Sequence, residues 1–160
     1  MSIAYIGIGS NLGNRRYHCL KAVELLEQNG QTVSKISSLY ETDPWGVTDQ
    51  PRFINMAVEI ETELLPKELL DLLKRIEKRM GRGKTVRWGP RVIDLDILFY
   101  DDLTVNDSDL VIPHPLMQTR AFVLEPLAEI APGKVHPVLR RNVATLLREN
   151  TRSGASGKMR

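Results

Sequence analysis

Phe53-Ile54-Asn55-Met56-Ala57-Val58-Glu59-Ile60 alternates without a break. Successive strand side chains point to opposite faces, so Ile54, Met56, Val58 and Ile60 share one side and Phe53, Asn55, Ala57 and Glu59 the other. The aliphatic side predicts a strand resting on an apolar layer. Upstream, Thr32 to Tyr40 is rich in β formers and precedes a Gly/Pro-containing loop at Thr42–Pro51. Before it, Cys19, Ala22, Val23 and Leu26 recur at helical spacing, and Asn29-Gly30 closes that helix. Ser10-Asn11-Leu12-Gly13-Asn14 offers turn residues and N-caps for it. Ile3 to Ile8, further back, reads as a short buried strand. Downstream, Pro66 suits the first turn of a helix. Leu69, Leu72, Leu73, Ile76 and Met80 form its stripe, and Gly81 ends it. After a second loop, Gly81–Pro90, comes the strong strand Val92–Tyr100. Strand, helix, strand, strand, helix, strand predicts an α+β, ferredoxin-like sandwich: a mainly antiparallel sheet with helices packed on it and the other face left for ligands or later segments.

Those later segments are shorter. Asp101-Asp102 makes a turn from which Leu103–Val105 is expected to return as a hairpin strand. Pro113-His114-Pro115 is a rigid connector, Leu116–Ala131 is helical with a kink at Pro126, and Asn142–Glu149 forms a last helix. The 160 residues suit a single domain, expected over 1–150, with a disordered polar tail over 151–160. Net charge is +2, from 22 basic and 20 acidic residues, which gives no overall field for nucleic acid or a membrane surface. Cys19 is the only cysteine, so neither an internal disulfide nor a cysteine zinc site can form. With no signal-peptide pattern and no apolar run of spanning length, a cytoplasmic monomer is expected.

The chemistry centres on Asp94-Leu95-Asp96. Alternate strand residues share a face, so the two carboxylates point the same way, about 6–7 Å apart. Leu95, Ile97 and Phe99 are expected to point into the core. Aligned carboxylates in an apolar strand repel one another and lose hydration, and a divalent cation relieves both costs. Oxygen donors suit Mg²⁺; the alternative is a solvated outer face with arginine partners. Just upstream, Arg82, Lys84, Arg87 and Arg91 surround Trp88 in a Gly/Pro loop without an acid, as phosphate clamps require, although a solvated basic loop has the same composition. Phe53 and Asn55 share a face and can stack on and hydrogen-bond to a flat heterocycle. His114, braced by two prolines, precedes Arg120 and Phe122. His18 and His136 stand in no constellation and are read as surface residues. Gly83-Lys84-Thr85 lacks the earlier glycine of a phosphate loop, since that position is Lys78. Gly7-Ile8-Gly9 lacks the third glycine of a dinucleotide fingerprint, since that position is Leu12.

The motifs Gly9-Ser10-Asn11-Leu12-Gly13, Gln50-Pro51 with Phe53-Ile54-Asn55, Arg87-Trp88-Gly89-Pro90-Arg91, Ile93-Asp94-Leu95-Asp96-Ile97, Pro113-His114-Pro115 and Arg120-Ala121-Phe122 occur in this order. In this the chain resembles the hydroxymethyldihydropterin pyrophosphokinases over about residues 2 to 148. The resemblance implies ATP and hydroxymethyldihydropterin as substrates, and two Mg²⁺ ions on Asp94 and Asp96. It implies that Arg82 and Arg91 stabilise the transferring group and that His114 and Arg120 hold phosphate. Leu70, Glu77 and Ile97 match nucleotide contacts. Phe53 and Phe122 would sandwich the pterin, Asn55, Thr42, Pro44 and Trp45 would read its edge, and Trp88 would close over the site. Both loops are expected to close after ATP binds.

Some positions depart from the family pattern. Lys74 stands where a nucleotide-contacting glutamine is expected, Phe53 and Pro115 each replace a tyrosine, and Asp109 replaces an arginine. The basic loop is one residue shorter, which leaves Lys84 as an ATP contact without a secure counterpart. A rival class is a nucleic-acid-binding module that stacks bases on Phe53 and Phe122. Asp94 and Asp96 would repel its phosphate backbone.

Overall fold

The computed structural model describes residues 1–42, 52–81 and 92–150, and a two-residue strand at 157–158. Strand β1 (Ser2–Ser10) is an interior strand of the main sheet. On one side it pairs antiparallel with β5 (Asp94–Tyr100), which is the sheet's edge; on the other it pairs with β4 (Phe53–Thr62). Both β2 (Thr32–Ile36) and β3 (Tyr40–Thr42) pair with the far side of β4. Helix α1 (Arg15–Gln28) carries the chain from β1 to β2, and α2 (Pro66–Arg79) carries it from β4 to β5. Each helix thus joins two parallel strands with one antiparallel strand between them, the ferredoxin-like arrangement expected from the element order.

The β-rich stretch at 32–40 is broken by a side chain. Ser37 Oγ accepts from Ala57 N at 2.8 Å, and Ser37 N donates to Ala57 O at 2.9 Å. A hydroxyl takes the place of a backbone carbonyl, so the ladder lapses before β3 resumes it. From the tail, Gly157–Lys158 forms β8, which pairs with Tyr40 and Glu41 on β3.

Helices α1 and α2 cover one face of the sheet. Ile6, Ile8, Met56, Val58 and Ile60 meet Leu25, Leu26, Leu69 and Leu73 there. Each such side chain contributes about 1.5–3 kcal/mol when fully buried. Cys19 belongs to this core. Burial, opposed by Arg15, pushes its thiol up to about 12, so it carries no thiolate chemistry.

Among the described residues, helices cover one end of the opposite face. A 3-10 turn (Met117–Thr119), α3 (Ala121–Ile130) and α4 (Val143–Asn150) bury Tyr5, Ala57, Leu98 and Phe99 under Leu124, Leu127, Val143 and Leu146. Here the expected alternation of β5 fails. Ile6 pairs with Ile97 but Tyr5 pairs with Phe99, so Leu98 is an extra residue in the strand. This β-bulge moves Phe99 off the Leu95 and Ile97 row to the opposite face. Its ring meets Tyr5 edge-on at 6.1 Å and His136 at 5.8 Å, with Lys134 Nζ 5.4 Å from its centre.

Two other expectations need correction. His136 is buried, not at the surface; Nδ1 accepts from Val138 N and Leu139 N at 3.2 and 3.1 Å. Leu103–Val105 does not return along β5. Asp101 turns the chain with φ 47 and donates its N–H to Ile3 O at 2.8 Å. The chain then forms a separate ribbon of β6 (Val105–Asn106) and β7 (Val111–Ile112).

Candidate functional site

Four strands each place one residue in a single row across the sheet: Asp94 on β5, Gly9 on β1, Asn55 on β4 and Tyr40 on β3. Residues paired across antiparallel strands share a face. The row therefore lies on the face whose far end carries the Phe99 core. Asp96 pairs with Gly7 one step along. Both carboxylates are half-buried, with 44% of the Asp96 side chain exposed. The same-facing pair expected from the sequence is thus present, beyond the end of the helical cover.

Helix α2 supports this strand from the side. Glu77 is buried, and its Oε2 accepts from Leu95 N at 2.8 Å. Leu95 lies between the two aspartates, so the carboxylate satisfies an edge-strand N–H at the point where both acids are anchored. Sequence reading assigned Glu77 to the nucleotide alone. The signal for this second role was an acid standing one position after Ile76 in a helix stripe that is otherwise apolar.

His114 and Arg120 approach from the segment after β7. His114 Nε2 lies 3.9 Å from Asp96 Oδ2, and Nδ1 accepts from Leu116 N at 3.2 Å. Burial and the nearby Arg120 cation hold the imidazole down at about 4, against a smaller pull from Asp94. The ring is neutral at pH 7. Because Nδ1 accepts, its proton sits on Nε2, the atom that faces Asp96. Burial also lowers Arg120, while Asp96 and Asp94 pull it the other way. Its guanidinium carbon lies 5.6 Å over the Phe122 ring. A cation and a neutral N–H donor beside two carboxylates form a mixed site, suited to phosphate oxygens with a metal between.

On the β4 side, Asn55 is buried and its Nδ2 donates to Thr42 Oγ1 at 2.9 Å. Phe53 and Phe122 are half-buried, at the first position of β4 and the second of α3. A cluster unmarked in the sequence forms where α1 begins and β4 starts, with Glu41 paired to Ile54. Arg15 donates to Arg52 O at 2.6 Å, and Glu41 pairs with Arg15 at 3.1 Å and with Arg52 at 3.0 Å. Among the other anticipated contacts, Lys74 is exposed on α2, Leu70 is partly buried against the α1/α2 core, and Ile97 is buried within it, on the face away from the aspartates. Pro44, Trp45, Arg82, Lys84, Trp88 and Arg91, with both loops, lie outside the described residues.

The aspartates fit Mg²⁺. The donors are oxygen only, on one face and accessible. Among the described residues, no group of three or more His, Cys, Asp or Glu gathers to enclose an ion. Mg²⁺ commonly takes its other ligands from substrate phosphates and water, so two carboxylates would suffice to hold it here. Among the described residues, no helix is long and apolar enough to cross a membrane.

Comparison with known proteins follows the same lines. Residues 5–132 match the family described as 7,8-dihydro-6-hydroxymethylpterin-pyrophosphokinase. The 2-amino-4-hydroxy-6-hydroxymethyldihydropteridine pyrophosphokinase of Bacillus subtilis (strain 168) is 54% identical over 130 residues, covering 81% of this chain and 78% of that protein. The protein of the same name from Aquifex aeolicus (strain VF5) is 42% identical over 151 residues, covering 94% of each. A solved HPPK-DHPS chain in complex with substrates superposes with a TM-score of 0.76 at 17% identity, over 95% of this chain and 44% of that one. At that identity the likeness is one of fold, and this chain spans less than half of the solved one.

Proposed function

The chain belongs to the 7,8-dihydro-6-hydroxymethylpterin-pyrophosphokinase family, and from that premise we propose that it transfers the β,γ-pyrophosphoryl group of ATP to the hydroxymethyl oxygen of 6-hydroxymethyl-7,8-dihydropterin in folate biosynthesis. The pterin oxygen forms a bond to the β-phosphorus, the bond from that phosphorus to the oxygen of the α-phosphate breaks, and AMP leaves with it. The hydroxyl proton passes to solvent. Such a transfer is carried mainly by positioning and charge, and needs no strong general base.

One observation carries the reading: Asp94 and Asp96 share a face with Asn55, Asp94 directly across Gly9 from it and Asp96 opposite Gly7, with His114 and Arg120 alongside. In our reading Asp94 and Asp96 hold two Mg²⁺ ions, which when bound neutralise charge on the attacking and leaving oxygens. His114 donates Nε2–H to a phosphate oxygen, and Arg120 adds a fixed positive charge. Phe53 and Phe122 stack on the pterin, while Asn55 and Thr42 read its edge. The positive charges of Arg82, Lys84 and Arg91 would add to the phosphate grip, Pro44 and Trp45 would join Thr42 and Asn55 at the pterin edge, and Trp88 would close over the site. By the family resemblance Leu70, Lys74 and Glu77 on α2 and Ile97 on β5 would contact the nucleotide from the α2 side of the β5 edge, and not from the face that carries the aspartates. A cytoplasmic monomer is the setting we propose; a single, buried cysteine is compatible with a reducing compartment.

The test is product analysis. Purified protein with ATP, Mg²⁺ and hydroxymethyldihydropterin should give AMP and pterin diphosphate in equal amounts. Formation of ADP and a pterin monophosphate, or no pterin product, would refute the assignment.

A further inference from the structure

Gly9 is the one position in the row across the sheet with no side chain, and it lies between Asp94 and Asn55, the acid assigned above to phosphate and the amide assigned to the heterocycle. Neighbouring strands lie about 4.8 Å apart, so Asp94 and Asn55 stand roughly 10 Å from each other across β1. That gap matches the span of a fused bicyclic ring whose substituent must reach the carboxylates.

The space over Gly9 is already partly used. A Cβ placed there would sit 2.7 Å from Asn55 Oδ1, 3.7 Å from Asn55 Cγ and 3.6 Å from Phe53 Cδ1. The Asn55 amide therefore leans over β1 with its oxygen toward the middle of the row. It has little freedom to yield, because Asn55 is buried and its Nδ2 donates to Thr42 Oγ1. With the amide nitrogen so engaged, Oδ1 is the atom turned toward the ligand face, an acceptor for a ring N–H or an exocyclic amine. Gly7, two residues earlier on the same strand and face, differs. A Cβ there would meet only Leu98 side-chain carbons, at 3.4 Å and beyond.

We infer that Gly9 is a specificity-determining residue: its missing side chain lets the Asn55 carbonyl lie over β1 and present an acceptor to the flat, donor-bearing edge of the pterin. The inference rests on the pterin reading of the site given above. It assigns to a glycine the part of pterin selection that depends on how the Asn55 amide is oriented, and it separates that part from the phosphate end of the same row.

Titration calorimetry of the whole chain with 6-hydroxymethylpterin, in the presence of Mg²⁺ and a non-hydrolysable ATP analogue, tests it. Gly9→Ala should weaken pterin binding at least tenfold while affinity for the ATP analogue stays within twofold. Gly7→Ala, the same chemical change on the same strand, should leave pterin affinity within threefold. Pterin binding by Gly9→Ala within twofold of wild type would overturn the inference alone. Absence of pterin binding by the wild type would overturn the pterin reading and this inference with it. Should Gly9→Ala fail to fold, the Asn55→Ala background decides. Adding Gly9→Ala there should leave the melting temperature unchanged, because the colliding amide is gone. A further large drop would place the cost in the backbone and refute the role assigned to Gly9.

Discussion

One face of the sheet is used in two ways. At the Tyr5, Ala57 and Phe99 end it is sealed by α3 and α4; at the Gly9, Asn55 and Asp94 end the row is polar. The same three strands build both ends, and β5 passes from one to the other through the bulge at Leu98. With strict alternation, the face carrying Asp94 and Asp96 would continue with Leu98 and Tyr100. The inserted residue instead gives that face both Leu98 and Phe99, so the strand that presents the acids also anchors the second core. The acids proposed to hold metal thus stand on a strand that is itself packed into a core. The packed end supplies the stability, and the polar end uses it.

The sharpest way to break this comparison is to remove an acid. Asp96→Ala should lower AMP release by at least about 10³-fold, with a melting temperature close to wild type. Near-normal turnover, or a protein that unfolds, would erase the distinction between the two ends. Next in size is the opposite change. Phe99→Ala should cost about 3–5 kcal/mol in denaturant unfolding, while turnover of the protein that remains folded is largely kept. Glu77 sits between the two effects. Glu77→Ala leaves Leu95 N–H without its acceptor and should cost about 1–3 kcal/mol. Glu77→Gln, which keeps an acceptor oxygen, should recover most of that in the same unfolding assay.

The smallest effect sharpens the packed end by pH. Burial lowers His136 from its ordinary value. The unfolded chain therefore takes up this proton more readily than the folded one. His136 contributes no penalty above about pH 6.5, and stability falls as pH drops below that value. His136→Asn should flatten this part of the stability profile, measured by melting temperature between pH 7 and pH 5. An unchanged slope would count against a neutral, buried His136.

Much of the fold was legible because periodicity reports burial directly. The Ile54, Met56, Val58 and Ile60 stripe and the Leu69, Leu72, Leu73 and Ile76 stripe both fall in the α1/α2 core. Phe99 was misplaced because a bulge adds a residue without changing the composition of the strand. His136 was misplaced because its partners are backbone N–H groups two and three residues ahead, formed by the turn and not signalled by residue type. At the site, the shared face of Asp94 and Asp96 follows from a period of two. The tautomer of His114 does not, because it depends on a local turn that brings the Leu116 N–H onto the ring; nor do the strand-edge bond of Glu77 and the crowding over Gly9, because each arises between elements apart in sequence. The arginine pair on Glu41 has the same origin: three residues that show no mutual pattern in the chain meet only when α1, β3 and β4 come together.

The most direct test of the metal role counts ions. Mn²⁺ titration followed by electron paramagnetic resonance, with a non-hydrolysable ATP analogue present, should show two ions per wild-type chain. Asp96→Ala should lose tight binding at both positions while its circular dichroism is unchanged. Equal Mn²⁺ binding by wild type and variant would contradict the account.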